Sequence, residues 1–290
     1  MLSVIIQLGV TGLAMGMIYA LLSMGLVLLI RAVGVMNFAQ GDLLMLGAYI
    51  TYGFSVQAKM SFIPMFFCSL LSFVAFAVIF MFTVYWPTRR STWPVAVIIC
   101  TIGASIAIKE GVQLIWGRIA LTMPALVSGS MRLGNVILEY QYLLIIAVSA
   151  IIVFLVFTLF DKLYVGRCMQ AAAQDKYMAE LLGIPTIITI GATYAIVMSV
   201  AGTAGYLVAP LFLVQSSLGL LQLKAFAGVV LGGYGNLKGA VLGSLIIGLI
   251  ESCCTIFTTT YRDAVVFLVL ILVLVFRPQG IFGERIADKA

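Results

Sequence analysis

Polar and glycine-bearing residues interrupt this chain at three places. The first is Gly34-Val35-Met36-Asn37-Phe38-Ala39-Gln40-Gly41-Asp42, set between two apolar runs. Two amides and a carboxylate there admit two readings. In one, a helix breaks at membrane depth, which is tolerated only where protein or a water-filled cavity satisfies the freed backbone. Asn37, Gln40, Gly41 and Asp42 then line a solute path. In the other, the chain makes a tight turn and Asn37 or Asp42 caps the next helix. The second place runs from Gly228 to Gly239, with Gly232, Gly233 and Gly235 at its centre. Its glycines either let helices pack closely or permit an unwound segment beside the path. A phosphate cradle is disfavoured, because no Lys-Ser/Thr pair of a nucleotide-binding loop follows. The third is Asp161 to Gly183, the densest mixed-charge stretch, holding Asp161, Lys162, Arg167, Asp175, Lys176 and Glu180. Ala171, Ala172, Ala173, Ala179 and Gly183 offer it a small, close-packing surface. Such a stretch is either a docking element for a partner or a plain solvated loop.

A few ionisable residues fall inside apolar runs: Lys109 and Glu110 together, and Glu251 further on. Such groups are costly in lipid and usually face a bundle interior. They are either ion-coupling residues or a boundary ion pair plus a hydrogen-bonded packing carboxylate, and the second reading is preferred. Other chemistry is excluded by residue type. There is no histidine, so no imidazole base, relay or metal ligand exists in this chain, and no metal site is expected. Cys68, Cys100, Cys168, Cys253 and Cys254 form no C-x-x-C pair and are expected to be buried, inert thiols. No nucleotide-binding loop of the G-x-x-x-x-G-K-S/T type is present, so any ATPase must lie on another chain.

The elements that carry these residues follow from composition. Of 290 residues, 63% are hydrophobic and 9% charged, against ~45–50% and ~25% in soluble domains. A soluble fold of this size has no way to hide so much apolar surface, so lipid is the solvent. The apolar runs are long rather than alternating, which favours helices over an outer-membrane barrel. An all-α polytopic bundle in a single domain, 1–290, is expected, with about eight to nine membrane segments. One of them, 210–235, is broken or re-entrant. The first run, Val4 to Ile30, reads as a retained span rather than a signal peptide. The net charge of +6 sets orientation and does not indicate nucleic-acid binding. With 161–183 in the cytoplasm, ten of the sixteen basic residues fall inside: Arg31, Arg89, Arg90, Lys162, Arg167, Lys176, Lys238, Arg277, Arg285 and Lys289. The C-terminus is then cytoplasmic. Trp86, Trp93 and Trp116 sit at span ends, as interfacial belts require.

The segment Met36-Asn37-Phe38-Ala39-Gln40-Gly41-Asp42-Leu43-Leu44-Met45-Leu46-Gly47-Ala48-Tyr49 closely resembles a signature of branched-chain amino acid ABC transporter permeases. Ala225 to Asn236, with Gly239-Ala240-Val241-Leu242-Gly243, resembles their second signature, and Phe276-Arg277-Pro278-Gln279-Gly280-Ile281-Phe282-Gly283 their usual ending. The run 173–184 is similar to their cytoplasmic coupling loop. The family commonly has His where Gln40 stands; Gln keeps the hydrogen bonds but does not titrate. The resemblance implies an importer subunit that makes and breaks no bonds. ATP-binding cassette subunits on other chains hold the ATP and grip the loop at 161–183, and this chain binds no cofactor. The implied partners also include a second permease, as homo- or heterodimer, and an extracytoplasmic solute-binding protein. The implied location is a bacterial-type inner membrane. The implied solutes are branched-chain amino acids or a related small polar molecule such as urea or a short amide. Asn37, Gln40, Gly41, Asp42, Gly232, Gly233 and Gly235 become candidates for the path or its gate. Arg167, Ala171, Ala172, Asp175, Glu180 and Gly183 become candidates for the ATPase contact. A stand-alone carrier driven by an ion gradient is the rival; it requires inverted repeats and partnered intramembrane charges.

Overall fold

The computed structural model describes residues 2–34, 36–88, 94–127, 129–133, 136–256, 259 and 261–282. Arg89, Arg90, Trp93, Gly283, Arg285 and Lys289, used above for orientation or motif, lie outside them.

Helix α1 (Leu2–Val33) ends where Gly34 takes a φ of +78°. The Gly34 N–H still reaches the Ile30 carbonyl at 2.8 Å, so glycine closes the helix with its last carbonyls partly satisfied. Helix α2 (Gln40–Tyr52) runs on through a π-helical turn, Gly53–Gln57. Helix α3 (Phe62–Phe80) passes through a second such turn into the short α4 (Trp86–Thr88). Helix α5 (Pro94–Trp116) starts on proline, whose missing N–H costs nothing in a first turn. The polar connection after it forms an antiparallel hairpin, β1 (Ser130–Leu133) on β2 (Val136–Glu139), an exception to the all-helical expectation. Then come α6 (Tyr140–Lys162), α7 (Tyr164–Gln174), α8 (Lys176–Leu181) and α9 (Thr186–Val208). A 3-10 turn, Ser216–Leu220, leads into α10 (Leu221–Gly232). Helices α11 (Leu237–Cys254) and α12 (Arg262–Phe276) complete the order.

Among the described residues, six helices are long and apolar enough to cross a membrane: Val4–Ala32, Ile63–Thr88, Val95–Trp116, Tyr140–Lys162, Thr186–Val208 and Leu237–Cys254. The fold is therefore an all-α polytopic membrane protein. Helices α2, α10 and α12 are shorter.

The chain divides into two compact units. One comprises Met1–Val27, Leu126–Ala150 and Leu221–Ala290. Its centre is the α10–α11 pair, which meets glycine on glycine. A Cβ at Gly232 would strike the Gly239 carbonyl, and one at Gly243 the Gly228 carbonyl. Helix α1 lies on α11 in the same way, with Gly16 facing the Leu245 backbone and Gly248 facing Gly16. Between two apolar helices in lipid there is little hydrophobic drive, so close backbone packing and buried hydrogen bonds hold the contact. Ser23 supplies one, its hydroxyl 2.7 Å from the Ala225 carbonyl and 2.6 Å from the Ser244 hydroxyl.

The other unit comprises Leu28–Ala125 and Ile151–Leu220. Here α2 and α3 pack on α9. Gly47 meets Gly202, where a Cβ would lie 2.6 Å from the Gly202 Cα, and Gly205 sits on the Leu44 carbonyl. Tyr194 of α9 stacks with Tyr85 and Phe80, at centroid distances of 5.6 and 6.0 Å.

The free cysteines depart from expectation. Cys100 and Cys253 are exposed and the other three half-buried. An apolar helix in lipid turns apolar residues outward as readily as inward, so sitting in an apolar run does not imply burial in protein.

Candidate functional site

Between α1 and α2 the chain turns rather than continuing as one bent helix. The Asn37 Oδ1 accepts the Ala39 N–H at 3.0 Å, the local bond that favours asparagine in turns. Ala39 occupies the cap position of α2, with no side-chain cap. Asp42 lies in the first turn, where a negative charge suits the helix dipole. Its Oδ2 accepts the hydroxyl of Ser105 on α5. Its Oδ1 faces Gly219, where a Cβ would come within 2.5 Å. Ser105 and Gly219 therefore shape the carboxylate's surroundings, and neither was legible in the sequence motif. A neighbouring bond runs from the Phe38 N–H to the Thr101 hydroxyl at 3.3 Å.

Asn37, Gln40 and Asp42 are all buried, Gln40 completely. Among the described residues, neither amide atom of Gln40 has a hydrogen-bond partner. Buried polar groups are nearly always paired, and an unpaired one points to a ligand, a water or a second conformation. Gln40, Gly41 and Asp42 thus form a buried polar group at the start of α2, joined to α5 through Ser105.

Gly232, Gly233 and Gly235 belong to the other unit. Gly232 closes α10 against α11. Gly233 (φ +110°) and Gly235 (φ +83°) make the turn that only glycine adopts without strain. Asn236 then caps α11, its Oδ1 accepting the Gly239 N–H at 3.1 Å. These glycines hold a tight helical hairpin, a geometry compatible with either reading of the motif.

The charged stretch forms two short helices. Asp175 separates α7 from α8 and caps the latter, its Oδ1 accepting the Met178 N–H at 3.1 Å. Gly183 ends α8 with a φ of +81°. Glu180 accepts the Thr186 hydroxyl, and Arg167 reaches the Lys162 carbonyl at 3.2 Å. Ala172 and Ala179 face into their own unit, and Ala171 is half-buried. The surface turned outward is instead Tyr164, Val165, Tyr177, Met178, Leu181 and Leu182, all exposed. A cavity of about 380 Å³ opens beside α7, lined by Arg31, Phe160, Met169, Gln170, Gln174 and Thr193 among others.

The intramembrane charges also differ from the simplest expectation. Glu110 faces Arg118 at 3.8 Å, because adjacent residues such as Lys109 and Glu110 point to different sides of a helix. Glu251 is no lone packing carboxylate: Lys224 of α10 is 2.7 Å from its Oε1, and the Tyr19 hydroxyl 2.7 Å from its Oε2. In the sequence Lys224 only interrupts the apolar run 210–235. Its pairing required the tertiary fold.

Six helices long and apolar enough to cross lipid and a buried polar group at the start of α2 suit a membrane transport component. The family described as "Branched-chain amino acid transport system / permease component" matches residues 9–274, and the chain belongs to it. The high-affinity branched-chain amino acid transport system permease protein BraD of Pseudomonas aeruginosa is 32% identical over 296 residues, spanning 97% of this chain and 96% of that one. LivH of Escherichia coli strain K12, named likewise as a permease protein of such a system, is 29% identical over 96% of this chain and 95% of its own. The solved structure of PsaBC from Streptococcus pneumoniae in complex with Fab covers 90% of both chains, with a TM-score of 0.48 and 12% identity. The chain is a permease subunit and not an enzyme. It works within a multi-subunit transport system, with ATPase and binding-protein partners on other chains.

Proposed function

We propose that this chain moves branched-chain amino acids, or a closely related small polar solute, into the cytoplasm of a bacterial-type cell. The names of its relatives support that solute class. The path runs beside Asn37, Gln40, Gly41 and Asp42, and the Gly232–Gly235 turn belongs to it or to its gate. The carrying observation is Gln40: a fully buried amide with no partner among the described residues is poised for a polar solute or its water. ATP is bound by partner subunits, which dock on α7 and α8. Arg167, Asp175, Glu180 and Gly183 shape these helices, Ala171 and Ala172 pack them, and the exposed Tyr177, Leu181 and Leu182 make the contact. A second permease chain completes the path, and an extracytoplasmic binding protein delivers the solute.

The shorter helices α2, α10 and α12 bring the membrane segments from six to eight or nine, α10 being re-entrant or broken. Lys and Arg placement puts α7, α8 and the C-terminus in the cytoplasm. Glu251 is paired with Lys224, as the ion-gradient rival also requires, so this pair does not choose between the two readings; the family of the chain favours the ATP-driven one.

The test is uptake by the whole complex, purified from its native membranes and reconstituted in vesicles. Gln40→Leu keeps the volume and removes the amide. Uptake of labelled leucine is expected to fall at least about tenfold, while assembly and melting temperature are kept or improved, since the change removes an unsatisfied buried group. Normal uptake by this variant refutes the path assignment.

A further inference from the structure

Helix α12 is poorly enclosed. Among its residues Val266 alone is buried, and Leu268, Ile271, Val275 and Phe276 are exposed. It is nevertheless tied to its unit at both ends, by different chemistry.

At its first turn stands a charge cluster drawn from four helices. Lys224 Nζ lies 2.7 Å from Glu251 Oε1 and 2.9 Å from Asp263 Oδ1. Arg262 Nε lies 3.6 Å from the same Glu251 oxygen and 3.5 Å from Asp263 Oδ1. Tyr19 of α1 donates to the other Glu251 oxygen. The Lys224 and Glu251 side chains are only 10% and 8% exposed. The formal charges of its two cations and two carboxylates sum to zero.

Past its last turn lies a strap, 277–282. The Gly280 N–H reaches the Arg277 carbonyl at 2.9 Å and turns the chain back. Ile281 then donates to the Leu231 carbonyl at 2.8 Å, and Phe282 to the Gly232 carbonyl at 3.1 Å. These are the end carbonyls of α10, which no residue within α10 can satisfy. Asn236 Nδ2 donates to the Phe282 carbonyl at 3.1 Å, so the residue that caps α11 also holds the strap. Gly280 has a φ of +79°, and a Cβ there would lie 2.6 Å from the Gly233 nitrogen. No other residue fits that place. The strap is thus a cap for α10 supplied from the far side of α12.

We propose that Lys224, Glu251 and the strap residues Gly280, Ile281 and Phe282 are positioning residues for the transport step. They clamp α10, α11 and α12 into one body, so the Gly232–Asn236 turn is carried as a unit and does not bend. The two attachments are separated by the length of α12, 15 residues or roughly 22 Å at the usual helical rise. A helix pinned at both ends, that far apart, does not swing about either pin. The inference rests on the transport reading but concerns which part of the protein stays rigid.

The experiment locks the strap and asks whether transport continues. Cys68, Cys100, Cys168, Cys253 and Cys254 are replaced by serine or alanine, and Leu231→Cys is combined with Ile281→Cys. A second pair joins Leu231→Cys with Phe282→Cys. The intact complex in vesicles is oxidised, the cross-link yield is measured, and leucine uptake is compared before and after reduction. Both pairs are expected to cross-link, with uptake in the oxidised state within about twofold of the reduced state, as for a rigid-body element. A fall of at least about tenfold that reduction reverses would show that the strap must open, and would overturn the proposal. Failure of both pairs to cross-link would overturn it too, because the strap would then not be docked. Uptake by the reduced protein tests the transport reading by itself; the oxidised-to-reduced ratio tests only the clamp.

Discussion

Asp42 shows how a single side chain is placed. Its carboxylate sits in the first turn of α2, bonded to Ser105 and pressed by the Gly219 position. Gly219→Ala inserts a methyl group 2.5 Å from Oδ1. Overpacking of this kind typically costs ~1–3 kcal/mol, so a lower melting temperature is expected, with leucine uptake reduced because the carboxylate must turn away. A variant as stable and as active as the parent would show that the contact relaxes freely. Gln40 is the complementary residue: there a loss of polarity is expected to preserve stability and lower uptake, which separates a solute contact from a packing role.

Two elements carry predictions of their own. On α8 and the turn after it, Leu182 is 80% exposed and Ala172 on α7 only 2%. If the proposed docking on α8 holds, Leu182→Asp is expected to leave the permease folded while weakening binding of the ATPase chains. Its signature is reduced copurification of the ATPase chains, or ATPase activity no longer linked to uptake. Ala172→Asp places a charge inside the unit and is expected to lower the yield of folded protein instead, read by size-exclusion profile. Equal behaviour of the two would mean that the outward face has been misassigned. In the α10–α11–α12 cluster, Lys224→Met leaves two carboxylates with one cation. Breaking a buried pair on one side commonly costs ~3–5 kcal/mol, while neutralising both sides is often harmless. Lys224→Met is therefore expected to be strongly destabilised, and Lys224→Met with Glu251→Gln to recover most of the loss. A double variant no better than the single would show that charge balance is not what the cluster supplies.

The molecule as a whole is organised by close backbone contact more than by side-chain volume. Gly232 on Gly239, Gly47 on Gly202 and Gly16 on Gly248 are the seams that join helices within each unit. In lipid an apolar surface has no reason to leave its solvent, so contact must come from dispersion and buried hydrogen bonds, and glycine brings backbones near enough for both. Purification of the tagged chain from its native membranes is expected to yield ATPase chains in fixed ratio, together with a second copy or a related permease. Recovery of the chain alone, still moving leucine on an ion gradient, would overturn the partner assignment.

The amino-acid sequence by itself determined the solvent, because apolar residues at this density with so few charges have no soluble solution. It also placed most of the long helices, since runs of some twenty apolar residues have one stable form in lipid. The motifs around Gln40, Gly232 and Arg277 carried the family. Tertiary structure alone decided what those motifs touch. Asp42 meets Ser105 of α5, Lys224 meets Glu251 and Asp263, and the segment after α12 returns to close α10. The physical reason is that lipid rewards apolar residues on every side of a helix. The inward face therefore leaves no hydrophobic period in the sequence, and only packing reveals which side is which.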